Sequence, residues 1–446
     1  MMRLQIAVAL ACLVAVNPAW GESARPNVVL IMADDLGYGD LSCYDGWIET
    51  PHIDSIARNG IRLTDYHSNG NVCSPTRAAL MTGLYQQKVG IPFVVVAAEG
   101  NTNHFAGLQD TEWTWPEAMA ARGYRTGVFG KWHLGYFPQY NPIQHGFDEF
   151  KGYVSGNIDF ISHIDQAGNE DWWHGKKLKR EKGYSTHLIT KHSVDFIKRN
   201  ARRPFFLYVP HEAPHYPYQS PNDKADRTVG GDFENHGSRV DKKNAYREMV
   251  QEMDKGVGEI LTVLKENNLF DNTIVVFCSD NGATALGHNG GLRGQKGTNY
   301  EGGHRVPCVV QWPAEFPANR INDQLMLSMD WMATILTLTG GVGVTERQLD
   351  GISMSEYLKE DKEPLERTVM WGANTIRSGN WKLLLPQKGI KTKLLFDLES
   401  DPGETNNLAE SKPDVVKTLL ADLRKMATDV EAKATNQPKS LEEINR

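Results

Sequence analysis

Residues 27–35 read NVVLIMADD, an almost unbroken apolar run that stops at two adjacent aspartates. A short apolar run with such an abrupt end predicts a strand buried on both faces, as in a parallel sheet covered by helices. Four more runs share the pattern: RTGVFG (125–130), FFLYVP (205–210), TIVVFCS (273–279) and VPCVVQW (306–312). Helical periods lie between them. The clearest spans Tyr246 to Leu264, with Met249, Met253, Val257, Ile260 and Leu264 on one face. DWMATILTLTGG (330–341) is another, closed by glycine. This alternation predicts an α/β fold built on a large, mostly parallel sheet sandwiched by helices.

The residues that follow the runs predict a site. Asp34 and Asp35 follow the first, Lys131 and His133 the second, His211 and His215 the third, and Asp280 and Asn281 the fourth. Ligands of open α/β sheets bind at the carboxyl ends of the strands, so four such ends point to one shared site. Any one pair alone is as well explained by a helix cap or a solvated turn. Three carboxylates and an amide oxygen suit a hard divalent cation. The histidines allow zinc, but Lys131 among the ligands disfavours it, leaving calcium, or magnesium, as the expectation. Arg77, Lys131 and Lys296 are placed to hold an anion. A cation, fixed positive charges and a nucleophile together suit a sulfate or phosphate ester.

The 446 residues predict one large domain and a smaller one, and 40% hydrophobic residues supply a sizeable core. A net charge of -7 argues against nucleic acid as a partner. At the N-terminus MMRLQ precedes the apolar IAVALACLVAV, and AWG (19–21) offers small residues before Glu22. The apolar run of eleven residues is too short to span a bilayer, so it predicts a signal peptide over 1–21 and a secreted or periplasmic protein. No later run predicts a membrane span. Cleavage would remove Cys12. Cys43, Cys73, Cys278 and Cys308 could form two disulfides, but Cys278 and Cys308 lie in strand-like runs where cysteine acts as a small hydrophobe.

Cys73 differs, because it opens the polar-to-helical stretch CSPTRAALMTG (73–83). Cys73-Ser74-Pro75-Thr76-Arg77 resembles the C-x-P-x-R signature of the formylglycine-dependent sulfatases, within the alkaline phosphatase-like superfamily. The resemblance extends over most of the chain. NVVLIMADDLGYGDLSCYDG, TPHIDSIARNGIRLTDYH, GYRTGVFGKWHLG, GFDEFKGY, SDNGA, LRGQKGTNYEGGHRVP, NWKLLL and LFDLESDPGETNNLA resemble family segments in family order.

The resemblance implies that Cys73 is oxidised to formylglycine by a formylglycine-generating or anaerobic sulfatase-maturating enzyme. The hydrated aldehyde would attack with one oxygen and use the other to expel sulfate, an exit that a plain thiolate lacks. It implies that Asp34, Asp35, Asp280 and Asn281, with the modified Cys73, hold calcium. Asp280 would serve as base for the attacking hydroxyl. Arg77 and Lys131 would steady the nucleophile and the sulfate oxygens. His133 would take the second hydroxyl's proton, and His215, with Lys296, would act on the leaving oxygen. The match to HEAPHYP (211–217) selects His215 over His211 for that role. Ser155 aligns loosely with a sulfate-contacting hydroxyl, and His211 is a pocket neighbour or a packed residue.

The implied organisation is a catalytic domain over 22–350 and a C-terminal subdomain over 351–446. The latter would be a small antiparallel sheet, containing NWKLLL (380–385) and KLLFDL (393–398), with the helix PDVVKTLLADLRKMATDVEAKA (413–434) packed on it. The polar tail after Thr435 is expected to fray. For substrate, NEDWWHGKKLKREKGY (169–184) offers Trp172 and Trp173 for stacking sugars, beside a basic run. The alternative is a solvated loop over packed tryptophans. SGNIDFISHID (155–165) adds His163, with Asp159 and Asp165, for sugar hydroxyls. A sulfated carbohydrate is expected, carrageenan-type galactan first and glycosaminoglycan N-acetylgalactosamine second. A phosphatase or phosphonate hydrolase of the same superfamily and a non-catalytic carbohydrate-binding relative are the rival classes.

Overall fold

The structure is a computed structural model that describes residues 25–110, 113–341 and 348–445. The expected signal peptide and Cys12 lie outside them. The strands run, in chain order, β1 (Asn27–Ala33), β2 (Ile61–Leu63), β3 (Tyr66–His67), β4 (Arg125–Lys131), β5 (Glu149–Tyr153), β6 (Trp173–His174), β7 (Lys177–Leu178), β8 (Phe205–Pro210), β9 (Thr273–Ser279), β10 (Cys308–Gln311), β11 (Arg320–Asn322), β12 (Met326–Leu327), β13 (Thr368–Met370), β14 (Thr375–Ser378), β15 (Trp381–Leu384) and β16 (Leu394–Asp397). Ten of them form one mixed sheet in the order β11-β2-β10-β9-β1-β8-β4-β5-β6-β7. Its centre, β9-β1-β8-β4-β5, is wholly parallel.

The side chains of β1 show why this strand carries no polar face. Val28, Leu30 and Met32 enter the core on one side of the sheet. Val29, Ile31 and Ala33 enter the core on the other. The second layer is closed by the helices Pro51–Arg58, Ser185–Asn200 and Lys242–Glu266. The first is closed by Cys73–Thr82, Trp115–Ala120 and Asp330–Leu338. An apolar run is what a period-2 strand needs when helices cover both faces.

One expectation is corrected. The run around Cys308 is not a parallel strand: β10 lies antiparallel to β9, with Cys308 opposite Cys278. From Ser279 the chain wanders through the site loops and one four-residue helical turn, Glu301–His304, before re-entering the sheet from the same edge. Without a crossover helix it returns antiparallel. Cys43, Cys73, Cys278 and Cys308 are all free.

The C-terminal strands form a separate antiparallel sheet, β13-β14-β15-β16. The helix Pro413–Ala432 packs on it through Val416, Leu419, Leu423 and Val430. The same cluster includes Ala79, Tyr85, Leu327 and Met329, so this small sheet shares a core with the larger part. The tail is also corrected. Thr435 donates its N–H to Lys88 O, and Gln437 Oε1 accepts from Gly107 N–H and Gln109. Residues 435–437 are therefore docked rather than frayed. Among the described residues no helix is long and apolar enough to cross a membrane.

Candidate active site

The carboxyl ends of β1, β4, β8 and β9 meet at one edge of the sheet, and the helix Cys73–Thr82 starts there. Asp34 and Asp35 follow β1. Asp35 has φ 67°, a left-handed conformation that costs a residue with a Cβ about 1–2 kcal/mol. His133, beyond β4, has φ 58°. Such backbone is held only where its surroundings over-determine it. At Asp35 they do: its N–H donates to Asp280 Oδ1 (3.3 Å), and its carbonyl accepts from Tyr246 Oη (3.0 Å). Asn281 must then approach closely. Gly282 allows it, because a Cβ there would lie 1.9 Å from Gly302 O.

Cys73 is the first residue of its helix and is buried. Its Sγ lies 3.3 Å from Asp34 Oδ1 and 3.6 Å from Lys296 Nζ. Lys131 Nζ donates to Asp34 Oδ2 (2.5 Å). Arg77 donates through Nε and Nη2 to Asp280 Oδ2, at 3.1 and 2.8 Å. Lys296 Nζ sits 2.6 Å from Asp35 Oδ1, which also accepts from Asn281 Nδ2 (2.7 Å). Three carboxylates thus face three fixed cations. A divalent ion added here would leave the site with two positive charges for an anionic substrate.

Two observations fit a cation to these residues. Asp35 Oδ2 and Asn281 Oδ1 are buried without a hydrogen-bond partner among the described residues. Orphaned oxygens of this kind cost about 1–3 kcal/mol each, and a metal ion supplies the missing partner. In addition, Asp34, Asp35, Cys73 and His215 present ligand atoms within 4.8 Å of one another.

Burial sets the protonation states. It drives the Cys73 thiol far above its usual value, with Asp280 and Asp34 adding to the effect. An unmodified Cys73 is therefore a protonated thiol at neutral pH and a weak nucleophile. Burial and the Asp34 charge push Asp280 up to about 6, against Arg77. Asp35 falls to about 2 despite its burial, chiefly because of the Lys296 charge, with the hydrogen bonds from Lys296 and Asn281 adding to it. His133 is held well below the usual imidazole value by burial, Lys131 and Arg77. Its Nε2 donates to Val95 O (2.7 Å), which leaves Nδ1 unprotonated and without a partner. That tautomer accepts a proton. His215 is likewise kept neutral by burial and Lys296. Its Nδ1 donates to Tyr216 O (2.7 Å) and its Nε2 lies 3.7 Å from Asp35 Oδ2.

The structure thus brings together Cys73, Arg77, Lys131, His215, Lys296, Asp34, Asp35, Asp280 and Asn281. Ser155 and His133 are near neighbours. A Cβ on Gly156 would lie 2.9 Å from His133 Nε2. Ser155 itself is buried and donates to Asn157 O (3.0 Å). The other expected substrate contacts lie in more enclosed settings, as the packed alternatives had it for His211 and Trp172. His211 is fully buried with neither ring nitrogen partnered, and burial pulls it down to about 3. Trp172 is only 2% exposed and stacks on His163, itself buried, at 4.6 Å. Trp172 packs into the core layer, and both residues reach a groove only with small parts of their surface. Trp173 is half-buried and donates Nε1 to Asp171 (2.7 Å).

Three supports escaped the sequence. The Val95 carbonyl sets the His133 tautomer. Asp40 accepts from Gly37 N–H and from Tyr246 Oη, fixing the aspartate loop. The loop carrying Lys296 is braced from the small sheet. There Arg293 donates to Glu404 O (2.7 Å) and Glu404 Oε2 accepts from Glu301 N–H (2.6 Å). Asn299 donates to Gln387 (2.9 Å). The GYGD spacing after Asp34-Asp35 carries a faint signal of the second; the others leave none.

A family model described as "Sulfatase" matches residues 26–342. A second, for the C-terminal part of N-sulphoglucosamine sulphohydrolase, matches residues 295–432. N-acetylgalactosamine-6-sulfatase of Canis lupus familiaris is 34% identical over 75% of this chain and 66% of its own length. The chain therefore spans just under two thirds of that relative. Human arylsulfatase A is 29% identical over 96% of this chain and 93% of its own. Among solved structures, Ps i-CgsB in complex with k-i-k-neocarrahexaose superposes with a TM-score of 0.79 at 28% identity, covering 94% of this chain and 96% of that one.

Proposed function

The chain belongs to the sulfatase family of the alkaline phosphatase-like superfamily, and we propose that it hydrolyses sulfate esters of a carbohydrate through a nucleophile formed from Cys73. The observation that carries this is the setting of Cys73. A buried thiol kept protonated among Asp34, Asp280, Lys131 and Lys296 is ill suited to act as it stands. The same position, converted to formylglycine, would offer a hydrated aldehyde at a helix N-terminus ringed by cations. The conversion needs a maturating enzyme as partner, and the N-terminal apolar run supports export.

Asp34, Asp35, Asp280 and Asn281 would hold calcium, or magnesium, together with the modified residue 73. Such an ion polarises a sulfate oxygen and acidifies a bound hydroxyl. Arg77, Lys131 and Lys296 stay charged and neutralise the sulfate oxygens. Asp280 lies at about 6 before an ion binds; beside the ion it would be ionised and able to accept the attacking hydroxyl's proton. His133 accepts a proton on its free Nδ1. His215 faces the site through Nε2, which is unprotonated in the free protein; a bound sulfate anion would favour a proton there, and the imidazolium so formed would protonate the departing alkoxide.

Carrageenan-type galactan is the favoured substrate, supported by the neighbour solved with neocarrahexaose. Glycosaminoglycan N-acetylgalactosamine sulfate is the second reading, supported by the 34% identical relative. Sulfate release from defined carrageenan and N-acetylgalactosamine-sulfate oligosaccharides, with matched phosphate esters, tests both. Faster turnover of the phosphate esters would reassign the chain to phosphoryl chemistry.

A further inference from the structure

We propose that His174, Glu181 and His192 form a second metal site, for a borderline divalent transition ion such as zinc, separate from the oxygen-rich site at the strand ends. The three residues come from different segments: His174 closes β6, Glu181 lies in the loop after β7, and His192 stands on the helix Ser185–Asn200. Both imidazole Nε2 atoms lie 2.9 Å from one oxygen, Glu181 Oε2. Ligands about 2.0–2.2 Å from a tetrahedral ion stand roughly 3.4 Å from one another, so an ion requires only a small expansion of this cluster. Two imidazoles and a carboxylate are a zinc donor set, whereas calcium prefers oxygen.

The surroundings support an ion. Trp172 Nε1 donates to Glu181 Oε2 (3.2 Å), which orients the carboxylate. His192 is buried, with Phe129 6.1 Å away, while the side chains of His174 and Glu181 keep 21% and 19% of their surface exposed. An ion can therefore enter, and water can take the fourth position. Two cations oppose binding. Lys191 Nζ is 3.9 Å from Glu181 Oε1. Lys151 Nζ is 3.2 Å from His192 Nδ1, the nitrogen that must carry the proton once Nε2 is metallated. The ion therefore competes with the Lys151 contact. When bound, it clamps the basic loop 176–182 to the helix, at the wall of a groove of about 430 Å³ lined by Lys179, Arg180 and Lys182.

Cobalt titration of the intact protein in excess calcium, read by visible absorption, tests this without recourse to activity. One equivalent of cobalt should give the intense bands of a four-coordinate ion, and zinc should abolish them. His192→Ala and Glu181→Gln should lose the bands. Glu181→Gln keeps the shape of the network, so it reports on the ion even if His192→Ala loosens the helix. Lys151→Met should tighten binding at least several-fold. Absence of the bands in the wild type, or bands unchanged in Glu181→Gln, would overturn the proposal. Bands lost in Asp35→Asn but kept in Glu181→Gln would assign the ion to the strand-end site instead.

Discussion

At the scale of single residues, the division of labour rests on where each proton sits. His215 donates from Nδ1 to a backbone carbonyl, so only Nε2 can exchange a proton with the site. A sugar hydroxyl leaves poorly without protonation, whereas nitrophenolate leaves readily. His215→Ala should therefore slow sugar-sulfate hydrolysis by about 10²–10⁴-fold and nitrophenyl sulfate hydrolysis far less. Paired rates on the two substrates check this. Selective loss in His211→Ala instead would contradict it, since His211 is sealed in the interior. Equal loss on both substrates in His215→Ala would move the proton donor to Lys296. Cys73→Ser should fold with an unchanged thermal transition, because the buried pocket already accommodates a polar atom, yet should not turn over.

At the scale of elements, strand ends assemble a site that no single segment contains. The sequence made β1, β8 and β9 legible to the residue, because a strand covered on both faces must be apolar throughout. The same runs carry no sign of direction, which is why β10 reads like its parallel neighbours and lies antiparallel. The charged strand ends were legible because four coincidences are hard to explain otherwise. Burial was not, so the sequence left Trp172 open as a sugar platform or a packed residue, and the structure buries it. The cation should tie β1 to β9: chelation should abolish activity, and calcium or magnesium, not zinc, should restore it. Asp280, pushed up to about 6, must lose its proton to bind the ion. Calcium affinity should thus fall as pH drops through about 6, by up to about tenfold per unit for one exchanged proton. In the calcium-free protein the sign reverses. A carboxyl whose folded value lies above its unfolded one favours the folded state at low pH, and that contribution is lost as pH rises through about 6. Calcium titrations and calcium-free melting curves across pH 5–8 separate the two effects.

At the scale of the whole molecule, the small sheet does more than append a core. Glu404, Gln387 and Lys382 hold the 292–304 loop from outside: Lys382 Nζ lies 2.9 Å from both Glu301 Oε1 and Glu404 Oε1. These three residues come from one part of the chain and Lys296 from the other. A brace that spans the two is invisible to local periodicity. Glu404→Ala should lower kcat severalfold with little change in KM, through misplacement of Lys296, and should leave the calcium affinity unchanged. An unaltered kcat in a folded Glu404→Ala protein would show that the loop holds itself. Every role assigned to Lys296, His133, His215 and the cation presupposes one covalent change at the centre of the molecule. The most direct test is therefore mass spectrometry of the peptide containing Cys73, on active enzyme purified from its producing cells. The expected result is the formylglycine aldehyde at residue 73, with activity proportional to its fraction. Full activity in a preparation whose Cys73 is entirely an unmodified thiol would contradict it.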